Sequence, residues 1–99
     1  MRVIAPGTLK RFRRDPRYLD AFGPLMAWYQ VARMADWASP ADVKRNLRNA
    51  SFLKEGRIVF NIAGNKYRLV AKINYDYRVI YVRFIGTHAR YDAIDAQTV

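Results

Sequence analysis

Apolar and polar residues alternate with a period of two through most of the stretch from Arg57 to Thr87, which then runs on into His88, Tyr91 and Asp92. The alternation falls into three runs separated by Gly64-Asn65 and Asp76-Tyr77, the pattern of an antiparallel strand meander. A two-residue turn at Gly64-Asn65, with glycine supplying the positive φ of a type II′ turn, pairs Ala63 with Lys66. Asn61 then faces Arg68, Val59 faces Val70, and Arg57 faces Lys72. A two-residue turn at Asp76-Tyr77 pairs Tyr75 with Arg78, and hence Lys72 with Tyr81, Val70 with Arg83, and Arg68 with Ile85. Asp76-Tyr77 has no glycine, so a longer loop there would shift the third strand.

Directly paired residues share a face. One face collects Ile58, Phe60, Ile62, Tyr67, Leu69, Ala71, Ile73, Ile80, Val82 and Phe84, and reads as the core. The other collects Arg57, Asn61, Arg68, Lys72, Tyr81 and Arg83, with Val59, Val70 and Ile85 between them. A slip of one residue would exchange the faces, and the uniformity of the apolar set argues against one.

Before Arg57 the period changes. Met1 to Ile4 is short and apolar, suited to an edge strand, and Ala5-Pro6-Gly7-Thr8 reads as a turn with Thr8 capping a short helix from Leu9 to Arg14. Asp15-Pro16 breaks that helix. From Asp20 to Asp36, Phe22, Leu25, Met26, Tyr29 and Ala32 or Arg33 recur at helical spacing, with Asp20 as N-cap and Pro24 tolerated in the first turn. Ser39-Pro40-Ala41-Asp42 starts another helix, Pro40 to Arg48, which Asn49-Ala50-Ser51 ends. Trp28 and Trp37 fall between helices and sheet, and Tyr67 and Tyr75 in the core or at its rim. Helices first and strands second make an α+β fold, with an N-terminal short strand and two to three helices packed on one face of an antiparallel sheet. The opposite face is left for function.

Composition narrows what that face can do. Ninety-nine residues suit one domain spanning residues 1–99, and the 52% hydrophobic content is that of a globular chain. No apolar run approaches the ~20 residues of a bilayer span, and the N-terminus lacks the pattern of a secretory signal, so the expected location is the cytoplasm, away from membranes. The absence of cysteine excludes disulfides, thiolate nucleophiles and cysteine-ligated metal, and a single histidine excludes a two-histidine motif. No metal or other cofactor is expected. Eighteen Lys and Arg against eight Asp and Glu give a net charge of +10, which attracts phosphate backbones, acidic proteins or anionic membranes.

Arg57, Lys66, Arg68, Lys72 and Arg83 have two readings, a solvated sheet face charged for solubility or an anion-binding surface, and the near absence of acidic residues there favours the second. Like charges across strands cost about 0.2–1 kcal/mol per close pair, so an anion is the natural missing partner. Arg68 and Arg83 are the sharper candidates, since a guanidinium can hold a phosphate bidentately and stabilise added charge in a transition state. His88 ends the strand that carries Arg83 and has two readings, a structural or surface residue or a general acid or base at the rim of the basic face. Tyr91 could stack on a base or serve as an acid. For Asp92 two readings stand, orienting His88 or starting a helix. Lys44, Arg45 and Arg48 form either a backbone-binding or a solvated helix face.

Two segments, Val59-Phe60-Asn61-Ile62-Ala63-Gly64-Asn65-Lys66-Tyr67-Arg68 and Tyr81-Val82-Arg83-Phe84-Ile85-Gly86-Thr87-His88-Ala89-Arg90-Tyr91-Asp92, carry a resemblance that extends to Asp36-Trp37 and Ser39 to Lys44. The chain resembles the HigB-type toxins of the RelE-like superfamily, the toxic halves of type II toxin–antitoxin pairs. That resemblance implies a RelE-like fold and an mRNA interferase that enters the ribosomal A site, contacts ribosomal RNA and cuts the message. It also implies neutralisation by a HigA-type helix-turn-helix antitoxin. Family members place active residues on the sheet face and near the C-terminus, which matches Arg68, Arg83, His88 and Tyr91, with Asp92 beside them. Arg57, Asn61, Lys66, Lys72, Tyr81, Lys44, Arg45 and Arg48 are the expected RNA contacts. Where the family often has an acidic residue between His and Tyr, this chain has Arg90. The expected chemistry is metal-independent attack of a 2′-hydroxyl on its own phosphate. A different class of function fits the same charge: a non-catalytic module that docks on ribosomal RNA or an acidic protein.

Overall fold

The computed structural model describes residues 1–4 and 6–99. Strands β1 (Arg2–Ile4), β2 (Ser51–Phe52), β3 (Arg57–Ile62), β4 (Tyr67–Asn74) and β5 (Val79–Thr87) form one sheet in the order β1-β5-β4-β3-β2. Helices α1 (Pro6–Arg14), α2 (Phe22–Met34) and α3 (Pro40–Asn46) precede the meander, and α4 (His88–Asp92) follows it. The fold is α+β, as expected. The sheet is mixed, because β1 lies parallel to β5 at its edge, Val3 opposite Ile80. A parallel pair needs a long crossover, and the whole of α1 to β4 supplies it. The Met1 nitrogen closes this arrangement by donating to the carbonyls of Ala32, Arg33 and Ala35 at the C-terminus of α2, where a cation meets the negative end of the helix.

Several helix boundaries differ from the sequence pattern. The expected turn starts at Ala5, outside the described residues. From Pro6 onward the chain is already helical, so Thr8 lies inside α1 and does not cap it. Proline suits a first helical turn, where its missing N–H has no partner to lose. Asp15-Pro16 does break the helix, and a 3-10 helix Pro16–Ala21 follows, capped by Asp15. Asp20 therefore sits inside that segment and is not the N-cap of α2; its carboxylate instead accepts from Lys66 Nζ and Tyr67 Oη. Pro24 does lie in the first turn of α2. The buried stripe of α2 is Leu25, Trp28 and Ala32, which continues Ala21, while Phe22, Met26 and Tyr29 turn to its flank. Ser39 occupies the N-cap of α3 without a side-chain hydrogen bond, and Asp42 takes the Ala38 N–H at 2.9 Å. Helix α3 stops at Asn46, two residues short of expectation, and Ser51–Phe52 then pairs with β3 as a short edge strand that the pattern did not announce.

The β3–β4 register is the expected one: Arg57 faces Lys72, Val59 faces Val70 and Asn61 faces Arg68. Gly64 takes the positive φ of the turn, at 67°, and Ala63 beside it has φ 56°. Between β4 and β5 the register also holds for Lys72–Tyr81 and Ala71–Val82, then shifts at a bulge so that Val70 faces Phe84, Leu69 faces Ile85, and Arg68 faces Gly86. Arg83 is the extra residue. A bulge lets two successive side chains lean to one side, so Arg83 and Phe84 both lie on the outer face and Ile85 turns inward. The expected places of Phe84 in the core and Ile85 outside are thus exchanged: Ile85 joins the buried cluster and Phe84 is only half-buried.

Under the helices lies one core of Ile58, Phe60, Ile62, Tyr67, Leu69, Ala71, Ile73, Ile80 and Val82, closed by Leu25, Trp28, Trp37 and Val43. Trp28 meets Phe60 at 5.5 Å between ring centroids, and Trp37 Nε1 donates to Asn46 Oδ1 at 2.7 Å. Truncating a fully buried member such as Leu69 to alanine would cost about 2–5 kcal/mol.

Candidate functional site

The outer face of the meander is organised in cross-strand rows. Asn61, Arg68 and Gly86 form the row at the hairpin end; Val59, Val70 and Phe84 form the middle; Arg57, Lys72 and Tyr81 form the far row, with bulged Arg83 between the last two. At about 3.3 Å per residue, the hairpin row and the far row are ~13 Å apart. The face is thus long enough to carry two separate clusters of charge.

At the hairpin end, β5 passes into α4 through Thr87, whose Oγ1 caps the helix by accepting from the Arg90 N–H at 3.2 Å. The His88 N–H donates to the Lys66 carbonyl at 3.2 Å, which ties the start of α4 to the β3–β4 turn. Positions 88 and 92 are one helical turn apart, and His88 Nδ1 lies 3.0 Å from Asp92 Oδ2. Of the two readings of Asp92, the geometry selects the histidine partner. Both side chains are about half exposed, 48% and 60%, and Tyr91 is half-buried beside them. Arg68 rises two residues before His88 in the ladder, opposite Gly86, and its guanidinium bends to Asn65, at 3.0 Å from the carbonyl and 2.6 Å from Oδ1. Asn61 and Arg48 line one hollow of about 240 Å³ beside this end.

Gly86 has a specific task here. A Cβ on it would stand 2.7 Å from Phe84 Cζ, so the glycine lets the Phe84 ring lie back along the outer face. Phe84 is the site-face residue that the alternating pattern missed. Its available signal was an aromatic side chain two positions before a glycine in a strand.

The far end is different in kind. Residues after α4 cross the outer face, and Arg57 Nη1 donates to the carbonyls of Ala96 at 3.3 Å and Val99 at 2.6 Å. Arg83 Nε donates to the same Val99 oxygen at 3.3 Å. Arg57 is only 7% exposed, and Val59 and Val70 are buried outside the main core. The expected free cationic platform is therefore covered at this end, and Arg57 is removed from solvent. Lys72 and Tyr81 remain open, and with Tyr75, Asp76 and Arg83 they line a cleft of about 540 Å³.

The remaining expected contacts divide. Lys66 is held by Asp20, whose carboxyl sits below its usual range chiefly because Lys66 and then Tyr67 donate to it. Tyr67, buried against Phe12 and Tyr18, is pushed up to about 12, first by desolvation and then by that carboxylate. Lys44 donates to the Ala50 carbonyl at 2.8 Å, and Arg45 pairs with Asp42 at 2.6 Å, so these two behave as helix-face cations satisfied by their own neighbourhood. Only Arg48 of that trio reaches the hollow shared with Asn61. Among the described residues no group of three His, Cys, Asp or Glu could hold a metal ion, and no helix is long and apolar enough to cross a membrane.

A sheet face carrying arginines, with a histidine–carboxylate pair at its end, can bind an anion and move a proton beside it. The profile of the HigB toxins, described as the RelE-like toxic component of a toxin–antitoxin system, matches residues 21–94, from the end of the 3-10 helix through α4. The chain belongs to this family. The match makes it the toxic half of a two-protein system, a HigB-type toxin with an antitoxin as partner. The chain is also similar to an mRNA interferase HigB of Escherichia coli O6:H1, at 29% identity over 97 residues, covering 95% of this chain and 91% of that protein. In this HigB-type toxin the matched region includes every residue of the hairpin-end cluster, whereas Ala96 and Val99, which cover Arg57, lie beyond it.

Proposed function

We propose that this HigB-type toxin is an mRNA interferase: a cytoplasmic endoribonuclease that enters the ribosomal A site and cuts the message, with residues 1–99 acting as one toxin domain. A HigA-type helix-turn-helix antitoxin holds it in check. What supports this reading most is that Arg68, opposite Gly86, and the His88–Asp92 pair that follows Thr87 occupy the same end of the sheet.

The 2′-hydroxyl of the message is the nucleophile. It attacks its own phosphorus, the bond to the 5′ oxygen breaks, and the products are a 2′,3′-cyclic phosphate and a 5′-hydroxyl. Asp92 engages His88 Nδ1, which leaves Nε2 to exchange a proton with the reacting oxygens. Arg68 stabilises the charge that gathers on the non-bridging oxygens. Tyr91 stands one turn along α4 to assist. Proton transfer and charge stabilisation are what an internal nucleophile requires, so the reading needs no metal. Arg48 and Asn61 continue the contact surface on one side, and Lys72, Tyr81 and Arg83 hold the message further along the face.

The test is expression of the chain without antitoxin, followed by mapping of message 5′ ends by primer extension. New ends at codon positions, bearing 5′-hydroxyls and appearing only on translated messages, are the expected result. Growth arrest with intact messages would replace the nuclease by a module that blocks translation through binding.

A further inference from the structure

The helical side of the molecule carries a second concentration of charge that RNA cutting does not use. Helix α1 presents Lys10, Arg11, Arg13 and Arg14, and none of the four has a carboxylate within 4 Å among the described residues. The flank of α2 faces it with Phe22, Met26 and Tyr29, spaced four and three residues apart along one side of the helix. Between the helices lies a groove of about 140 Å³ lined by Leu9, Lys10, Arg13, Leu25, Met26 and Tyr29. That is on the scale of the ~150 Å³ cavity that takes up a benzene-sized group.

Arg13 shows what this groove lacks. Its guanidinium lies over the Phe22 ring at 5.5 Å and its Nη1 is 3.4 Å from Met26 Sδ, a weak acceptor for so strong a donor. Phe22 is 49% exposed although it belongs to this apolar strip. An apolar floor with a cationic rim is complementary to a helix that has an apolar stripe and acidic residues beside it. An RNA strand would satisfy the rim and gain nothing from Leu9, Leu25 and Met26, so the floor decides between the two.

We infer that the groove between α1 and α2 is the docking site for an acidic amphipathic helix of the antitoxin, with an apolar side chain on Leu9, Leu25 and Met26 and carboxylates on Lys10 and Arg13. The inference rests on the toxin–antitoxin reading above. It does not depend on whether the chain cuts RNA.

The experiment measures affinity between the full chain and its purified cognate antitoxin, for the parent and for Lys10→Glu, Arg13→Glu and the double variant. Lys10 is exposed, so Lys10→Glu tests the rim without disturbing the fold. The double variant should bind at least tenfold more weakly, Lys10→Glu alone should weaken binding in the same direction, and added salt should reduce the difference. Growth arrest by the free variants should be that of the parent. A loss below tenfold in the double variant overturns the inference, and so does loss of growth arrest with antitoxin affinity unchanged, which would make the groove an RNA contact. Failure of the parent to cut messages would instead overturn the nuclease, leaving the affinity result to decide the groove.

Discussion

The two ends of the outer sheet face hold arginines in opposite circumstances. At the hairpin end Arg68 is bound to Asn65 of the turn and to the carbonyl of its neighbour Tyr67, and the His88–Asp92 pair at the same end is half exposed. At the far end Arg57 is buried and shares the Val99 carbonyl with Arg83. A cation on a sheet face acquires whatever acceptor the chain can bring to it. Where the segment after α4 reaches, backbone carbonyls fill that role, and where α4 itself ends, the cations stay open to a ligand. Sequence charge alone treats the two ends as equal; their exposure separates them.

The strongest way to break this contrast is at the hairpin end. His88→Ala should lower the rate of message cleavage by about 10²–10⁴-fold, the range of a positioned proton-transfer group. Arg68→Ala should lower it by about 10²–10³-fold, the loss of one transition-state donor. Both side chains are at least partly exposed, so neither change should shift the urea midpoint appreciably. Variants that still arrest growth and cut messages like the parent would remove the site from this end of the sheet.

At the far end the expected effect is on stability. Arg57→Ala should cost about 2–3 kcal/mol in urea unfolding, because it leaves a void and two carbonyls without their donor. Arg57→Met keeps the volume but leaves the same two acceptors without a donor, so it should cost about 1–2 kcal/mol, less than Arg57→Ala, and cleave within a few-fold of the parent. A stable Arg57→Met chain with cleavage down more than tenfold would mean that the covering segment lifts when RNA binds and that Arg57 is a ligand after all.

How far these ends were legible in the sequence follows from the period of the strands. The β3–β4 ladder and the first half of β4–β5 came directly from alternation and the glycine turn, and with them the outward positions of Arg57, Asn61, Arg68, Lys72, Tyr81 and Arg83. The bulge at Arg83 breaks the period once, and nothing in the composition marks it, so Phe84 and Ile85 came out on the wrong faces. Strand β2 is two residues long, too short to alternate. The segment that buries Arg57 has no periodicity at all, and its contact is 39 to 42 residues distant in sequence, held by backbone oxygens that every residue possesses. The i,i+4 spacing of His88 and Asp92 was visible, and it became informative only because the strand ends at Thr87 and the helix starts at once.

Between the two sheet faces, Tyr67 offers a test by pH. Its hydroxyl donates to Asp20, which also holds Lys66 beside the hairpin. The unfolded tyrosine gives up its proton near 10 and the folded one only near 12, so between those values the unfolded chain binds fewer protons. The stabilisation is full below pH 10 and is lost as the pH rises to 12. Urea unfolding followed over that interval should show the decline, and Tyr67→Phe should flatten it while costing about 1–3 kcal/mol at neutral pH for the lost bond to a carboxylate. An unchanged alkaline slope in Tyr67→Phe would assign the decline to other groups.

The smallest effect sharpens the hairpin end itself. Ala63 holds φ 56° immediately before Gly64 at φ 67°, and an L-residue there pays about 1–2 kcal/mol that glycine avoids. Glycine also adds freedom to the unfolded chain, worth about 0.5–1 kcal/mol in the opposite direction. Ala63→Gly should therefore stabilise the protein by about 0.5–1 kcal/mol, read as a higher urea midpoint with an unchanged slope. The turn carries Asn65, which receives Arg68, and Lys66, whose carbonyl receives the His88 N–H. If the turn serves only as a frame for those contacts, cleavage by Ala63→Gly equals that of the parent. A stabilised variant that cuts more slowly would instead show that the strained alanine sets the position of Arg68, and that part of the strain at this end is maintained for the reaction.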